Sequence, residues 1–194
     1  MNAQNPIRRI TDNVYLLWAV LAWPALYVFL QFFVWHGPVP YVPLTGDLSA
    51  WLMILTLAVT PLMMLVGPLP WLKARRRYFG VASFGYAVLH LLFWLKGAHW
   101  WDLIHSFKRF EILVGWGAMG LMGLLAVTSN DWSVRKMGTM WKALQRWVYP
   151  AAILTLIHWA LTTHDRRAMV VYTMPLILLT IWRIFRTKAR ASRV

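Results

Sequence analysis

Residues 75–96 read Arg75-Arg-Arg-Tyr-Phe-Gly-Val-Ala-Ser-Phe-Gly-Tyr-Ala-Val-Leu-His90-Leu-Leu-Phe-Trp-Leu-Lys96. Three arginines precede eighteen residues, 78–95, that contain no Asp, Glu, Lys or Arg and a single histidine. About 20 mostly apolar residues are needed to cross a hydrocarbon core about 30 Å thick, and an arginine cluster marks the cytoplasmic end of such a run. The stretch therefore predicts a transmembrane helix directed outward. Five further runs approach the same length: 14–35, 48–68, 110–128, 147–163 and 168–185. Together they predict an all-α integral membrane protein, a bundle of six transmembrane helices forming one domain over 1–194. The last two runs are parted only by the residues around His164, Asp165, Arg166 and Arg167, so a tight turn joins them.

Composition agrees with a bilayer. Hydrophobic residues make up 60% of the 194, above the roughly 45–50% of a soluble domain, and the fourteen tryptophans suit the headgroup level, where aromatic rings settle. The formal charge of +14 comes in short clusters between apolar runs instead of one continuous basic face, which argues against nucleic acid and for membrane topology. With no cysteine, disulfides, thiolate-held iron–sulfur clusters and Cys-based zinc sites are excluded; His, Met and carboxylates remain as metal ligands. No cleavage site follows the start of the first run, which is expected to stay as an anchor. There is no glycine-rich phosphate loop, no room for a nucleotide-binding fold and no repeat visible in the sequence.

Orientation follows from the cations. Arg8, Arg9, the cluster at 73–77, the 135–146 segment and the C-terminal end together hold fifteen Lys or Arg, against five in the alternate loops. Both termini are therefore expected in the cytoplasm. Between runs, Trp100, Leu103, Ile104 and Phe107 share one helical face, with Asp102, His105, Ser106 and Lys108 elsewhere, the pattern of an outer interfacial helix. On the inner side Val134, Met137, Trp141 and Leu144 repeat similarly, with Asn130 or Asp131 placed to cap the start.

An ionisable side chain inside hydrocarbon is a functional-site hypothesis by default. His36, His99, His105 and His164 fall in loops or at helix ends. His90 and His158 lie inside the third and fifth runs, both directed outward, twelve residues past Tyr78 and eleven past Trp147. At about 1.5 Å per residue this places both roughly 17–18 Å from the cytoplasmic start. Two imidazoles at one depth suit the two axial positions of a haem between helices; a hydrogen bond or a proton relay is the alternative. Small residues nearby, Gly80 to Ala87 and Gly115 to Gly123, leave room for a macrocycle, and close helix packing also favours them. Met119 and Met122 read as packing.

The stretch Arg76 to His90 resembles the third helix of the MsrQ family, the haem-binding membrane subunits of bacterial methionine sulfoxide reductase systems, within the ferric reductase-like transmembrane proteins. Also similar are Thr45-Gly46, Leu55-Thr-Leu-Ala-Val-Thr-Pro61, Leu125-Ala-Val-Thr-Ser129 with Gly138, Trp141 and Leu144, Arg146-Trp-Val-Tyr149, and Leu156-Ile-His158. The likeness outlines a core over about 45–163. It implies a b-type haem, as in a cytochrome b, with iron ligands falling on His90 and His158. It also implies a bacterial inner-membrane location and electron delivery to a periplasmic molybdopterin methionine sulfoxide reductase that repairs oxidised proteins. Electrons would come from the quinol pool or a cytosolic flavin reductase, with flavin mononucleotide (FMN, making the chain a flavoprotein) and quinone as further candidate cofactors. The chain would then be an electron-transfer subunit, with catalysis in the partner.

One position departs from the family. Thirteen residues before the last ligand, where the family carries histidine after Trp-x-x-Leu, Trp141-Lys-Ala-Leu-Gln145 has an amide, a poor haem-iron ligand beside imidazole. One haem is expected. Arg77 at that end would meet a propionate, a flavin phosphate or a lipid headgroup, or serve as a positive-inside anchor. Two other functions compete: a stand-alone transmembrane ferric or quinone reductase, opposed by the missing nucleotide domain, and a haem-free proton-coupled transporter, opposed by the lack of an acidic residue deep in any predicted helix.

Overall fold

The computed structural model describes residues 12–163 and 165–191; His164 and residues 1–11 and 192–194 fall outside them. Every regular element among the described residues is helical: α1 Val14–Leu30, continued by a π-helical turn Gln31–Trp35, then α2 Tyr41–Val66, α3 Pro70–Gly97, α4 Trp100–Ser106, α5 Phe110–Val127, α6 Asp131–Met137, α7 Thr139–Gln145, α8 Val148–Thr162 and α9 Arg166–Ala191. Residues 14–35, α2, α3 and α5 are each long and apolar enough to cross a membrane, and the chain is a multi-pass membrane protein. The 15 residues of α8 extend only about 22 Å, and the apolar part of α9 is Met169–Phe185.

Each of the six apolar runs falls on a helical segment and overruns its ends by at most two residues, but two helices start earlier than the runs: α2 at Tyr41, not residue 48, and α3 at Pro70, not residue 78. Hydropathy marks the part of a helix that lies in lipid, not its ends. Pro43 sits in the first turn of α2, where its missing N–H has no partner to lose, and Pro70 is the first residue of α3. Arginine is a good helix former, so 75–77 continue α3 beyond the apolar run. With this extension Asp47, which lies just ahead of the apolar run, belongs to the second turn of α2.

Two antiparallel helix pairs form the bundle, α2 with α3 and α5 with α8, and α9 covers the outside of α2. Their shared core runs through Met53, Leu57, Ala87, Met122, Ala151 and Leu176. In lipid there is little hydrophobic drive between helices, so packing and interhelical hydrogen bonds hold them. Ser49 Oγ donates to the Ser83 carbonyl at 2.9 Å while Ser83 Oγ donates to the Ser49 carbonyl at 2.8 Å, a reciprocal link buried between α2 and α3. On α1, Val28 is the one buried residue. That helix is tied to α3 by the Tyr86 hydroxyl, which accepts from Ala25 N–H at 3.1 Å and donates to the Leu21 carbonyl at 2.6 Å, beside Pro24, which has no N–H to donate.

The connecting helices are resolved into finer pieces than their periodicity indicated. Asn130 caps α6 by accepting from Ser133 N–H at 2.8 Å, and Gly138, at φ 53°, breaks the inner segment into α6 and α7. Glycine takes that backbone conformation without a Cβ clash. In α4, Ser106 is buried with its hydroxyl donating to the Leu103 carbonyl, whereas Trp101 is 71% exposed. Spacing puts Ser106 off the apolar face of this helix; it is buried instead because it is the last helical residue, and its hydroxyl satisfies a carbonyl of the final turn.

Candidate functional site

The α2–α3 and α5–α8 pairs enclose a cavity of about 480 Å³, with His90 and His158 in its wall. That volume lies within the roughly 300–1,000 Å³ of sites for small molecules and cofactors. Both histidines lie toward the same end of the bundle, His90 seven residues before the end of α3 and His158 four before the end of α8. The walls beside them are largely apolar, with Ala87, Ala118, Met119 and Met122 among the lining and Ser49 and Thr155 as the polar groups there; Asp47, Arg109, Thr162, Thr163 and Asp165 gather where α2 and α5 begin and α8 ends. Met122 is buried and its sulfur accepts from the Thr155 hydroxyl at 3.7 Å. It is a wall residue, as its spacing indicated.

The two imidazole rings lie with centroids 6.1 Å apart and planes at 84° to each other. His90 Nδ1–H donates to the Val42 carbonyl of α2 at 2.9 Å, and His158 Nδ1–H to the Glu111 carbonyl of α5 at 2.7 Å. A carbonyl can only accept, so the proton sits on Nδ1 and Nε2 keeps its lone pair, the state a metal ligand requires. A metal–nitrogen bond of about 2 Å, with the ring centre roughly 1 Å behind the nitrogen, puts two axial imidazoles about 6 Å apart centre to centre. The observed centroid separation is close to that value, and two imidazoles in the wall of a largely apolar cavity are a donor set and lining suited to haem.

Arg77 and Gln145 do not reach this cavity. Arg77 Nη2 lies 2.6 Å from Asp131 Oδ1 at the start of α6. The Gln145 amide donates to the Leu125 carbonyl and the Thr128 hydroxyl, each at 3.3 Å, and Trp141 Nε1–H donates to the Thr128 carbonyl at 2.9 Å. These groups close the opposite end of the bundle with their own hydrogen bonds. Of the remaining histidines, His36 ends the π turn at φ 48°, His99 starts α4 and His105 Nδ1–H donates to the Trp101 carbonyl at 2.8 Å.

Three features of the site were not legible from periodicity. Asp47 enters the lining because α2 starts early. The carbonyls of Val42 and Glu111 act as supports, and backbone groups carry no mark in a sequence. The third is a repeat: Gly46 precedes His90 by 44 residues and Gly115 precedes His158 by 43, and in each pair the histidine lies over the glycine. The two helix pairs thus present the same device twice, although their side chains otherwise differ.

Residues 45–156 match the family described as ferric reductase like transmembrane component. The chain is 36% identical over 155 residues to a Bordetella pertussis protein named protein-methionine-sulfoxide reductase heme-binding subunit MsrQ, covering 73% of each. Proteins of the same name from Azospira oryzae and Xanthomonas campestris pv. campestris are each 35% identical, covering 76% of this chain and 67% and 72% of theirs. No solved structure matches the chain significantly. A matched segment that contains both helix pairs up to Leu156, and relatives alike over most of their length, show that the chain belongs to the ferric reductase like transmembrane family and, within it, to the MsrQ group.

Proposed function

We propose that this chain is the b-type haem membrane subunit of a methionine sulfoxide reductase system, carrying electrons outward across a bacterial inner membrane. The observation that carries the reading is the pair His90 and His158, ring centroids 6.1 Å apart in the wall of one cavity, with Nδ1 of each bound to a backbone carbonyl so that Nε2 of the neutral ring is left as base. The relatives' name, heme-binding subunit, supports the cofactor. When bound, haem supplies one-electron redox chemistry at iron. His90 and His158 would hold it by their Nε2 atoms, the Val42 and Glu111 carbonyls fix the tautomer, and the apolar walls exclude water. His90 and His158 stand nearer the end from which α4 projects, which in the proposed topology of six crossings with cytoplasmic termini is the periplasmic side.

The proposed partner there is a periplasmic molybdopterin methionine sulfoxide reductase subunit, with catalysis in that partner. The donor is proposed as the quinol pool or a cytosolic flavin reductase, with quinone or FMN meeting the cationic end near Arg77. One haem per chain is favoured, because Gln145 and Arg77 are engaged in their own hydrogen bonds away from the cavity. The test is a reduced-minus-oxidised spectrum of purified protein with a pyridine haemochrome ratio. One low-spin haem per chain, reducible by a quinol or flavin reductase and oxidised by the partner, is expected. Haem-free protein would defeat the reading in favour of a transporter, and unaided reduction of ferric chelates would favour a stand-alone reductase.

A further inference from the structure

We infer that Gly46 and Gly115 are positioning residues, each setting the rotation and tautomer of one cavity imidazole by leaving open the carbonyl it binds. The inference rests on the haem reading above for its spectroscopic consequence, while its geometry stands on the protein alone. Val42 lies four residues before Gly46 on α2, and Glu111 four before Gly115 on α5. In a helix the carbonyl of residue i bonds to the N–H of residue i+4, and its second lone pair faces outward. The Cβ of residue i+4 tilts toward the helix N-terminus and covers that lone pair. Glycine removes the cover, and an imidazole from the neighbouring helix enters.

The distances bear this out at both sites. A Cβ at Gly46 would lie 2.9 Å from His90 Nδ1 and 3.2 Å from its Cε1; at Gly115 it would lie 2.8 Å from His158 Nδ1 and 2.9 Å from its Cε1. Those rings are the ones whose Nδ1–H reaches the carbonyls of Val42 and Glu111. Smallness in general does not explain the pattern, because Gly85 on α3 and Gly120 on α5 have open space where a Cβ would be. The same glycine–carbonyl–histidine arrangement, reached by unrelated neighbouring residues in the two helix pairs, is two separate instances of one device. Each ring is held in the plane its carbonyl dictates, and the two planes come out 84° apart.

The g-tensor of a low-spin ferric haem depends on the angle between its axial ring planes, and losing a ligand's hydrogen-bond partner costs about 10–100-fold in metal affinity. Gly46→Ala and Gly115→Ala are therefore compared with Gly85→Ala and Gly120→Ala by electron paramagnetic resonance, midpoint potential and haem affinity. The expected result is a shifted largest g-value and potential, with about 10–100-fold weaker haem binding, in the first pair only. Wild-type values in either of the first pair, equal changes in the second, or loss of folded helical protein from the first pair would each overturn the proposal. Wild-type protein without a bis-imidazole signal would defeat the haem reading instead. The device is then read by 15N-histidine resonances of the same protein: Nδ1–H on His90 and His158 in wild type, lost from the affected ring in each alanine variant, supports it, and no change overturns it.

Discussion

His90 and His158 each engage Nδ1 with a backbone carbonyl while lining the cavity, so a neutral ring has no second N–H to donate. Replacing either by alanine removes one axial base and leaves the Val42 or Glu111 carbonyl without that donor. We expect His90→Ala and His158→Ala each to abolish the six-coordinate low-spin spectrum and electron transfer, with His105→Ala unchanged; a full low-spin spectrum in either of the first two would show that the pair is wrong. Gln145 is the contrasting case. Its amide binds Leu125 and Thr128 away from the cavity, and Arg77, at the equivalent spacing before His90, pairs with Asp131. Gln145→His is therefore expected to keep one haem per chain, a value that haemochrome stoichiometry measures directly; a ratio near two would overturn it.

At the scale of helices, α1 is the least buried of the four long apolar spans, and Tyr86 of α3 supplies the hydrogen bonds to its backbone while Tyr78 packs edge-on against Trp18. Tyr86→Phe removes a hydroxyl that satisfies one donor and one acceptor of the α1 backbone beside Pro24. The expected cost is about 1–3 kcal/mol, read as a lower unfolding midpoint in detergent, with the haem spectrum retained. No change in the midpoint would mean that the freed groups find each other or water at no cost. The short α4 tests topology. Ser106 is buried, so Lys108, exposed just beyond the helix, is the position to label. Lys108→Cys is expected to react with impermeant reagents from the periplasmic side, and reaction only from the cytoplasm would reverse the proposed electron direction.

For the whole molecule, the cavity is central, with walls from both helix pairs, so its contents bear on the stability of the entire bundle. A ligand bound to the folded state alone stabilises it by about 4 kcal/mol at a thousandfold excess over Kd. Haem removal is accordingly expected to lower the cooperative unfolding temperature followed by helical circular dichroism. Identical midpoints for loaded and haem-free protein would show that the cofactor does not sit between the helix pairs. The charge pattern acts at the same scale: in the proposed topology the cationic first turns of α3 stand on the cytoplasmic side and favour that direction of insertion.

Apolar runs, cation clusters and two isolated histidines were enough to read an all-α membrane bundle and to select His90 and His158, because burial in lipid leaves its mark on residue type at every position. Asn130 and Gly138 were legible too, as a capping residue and as part of a family pattern. Other features depended on backbone and distance. Helices continue past their apolar stretches, so the ends of α2 and α3, and with them the place of Asp47, came only from the folded chain. The burial of Ser106 came from how a short helix ends, which spacing does not encode. Above all, the carbonyls of Val42 and Glu111 and the clearance over Gly46 and Gly115 exist only once helices from distant segments meet. A carbonyl is the same in every residue, and what distinguishes these two is the missing Cβ one turn later and the imidazole that tertiary packing brings to it.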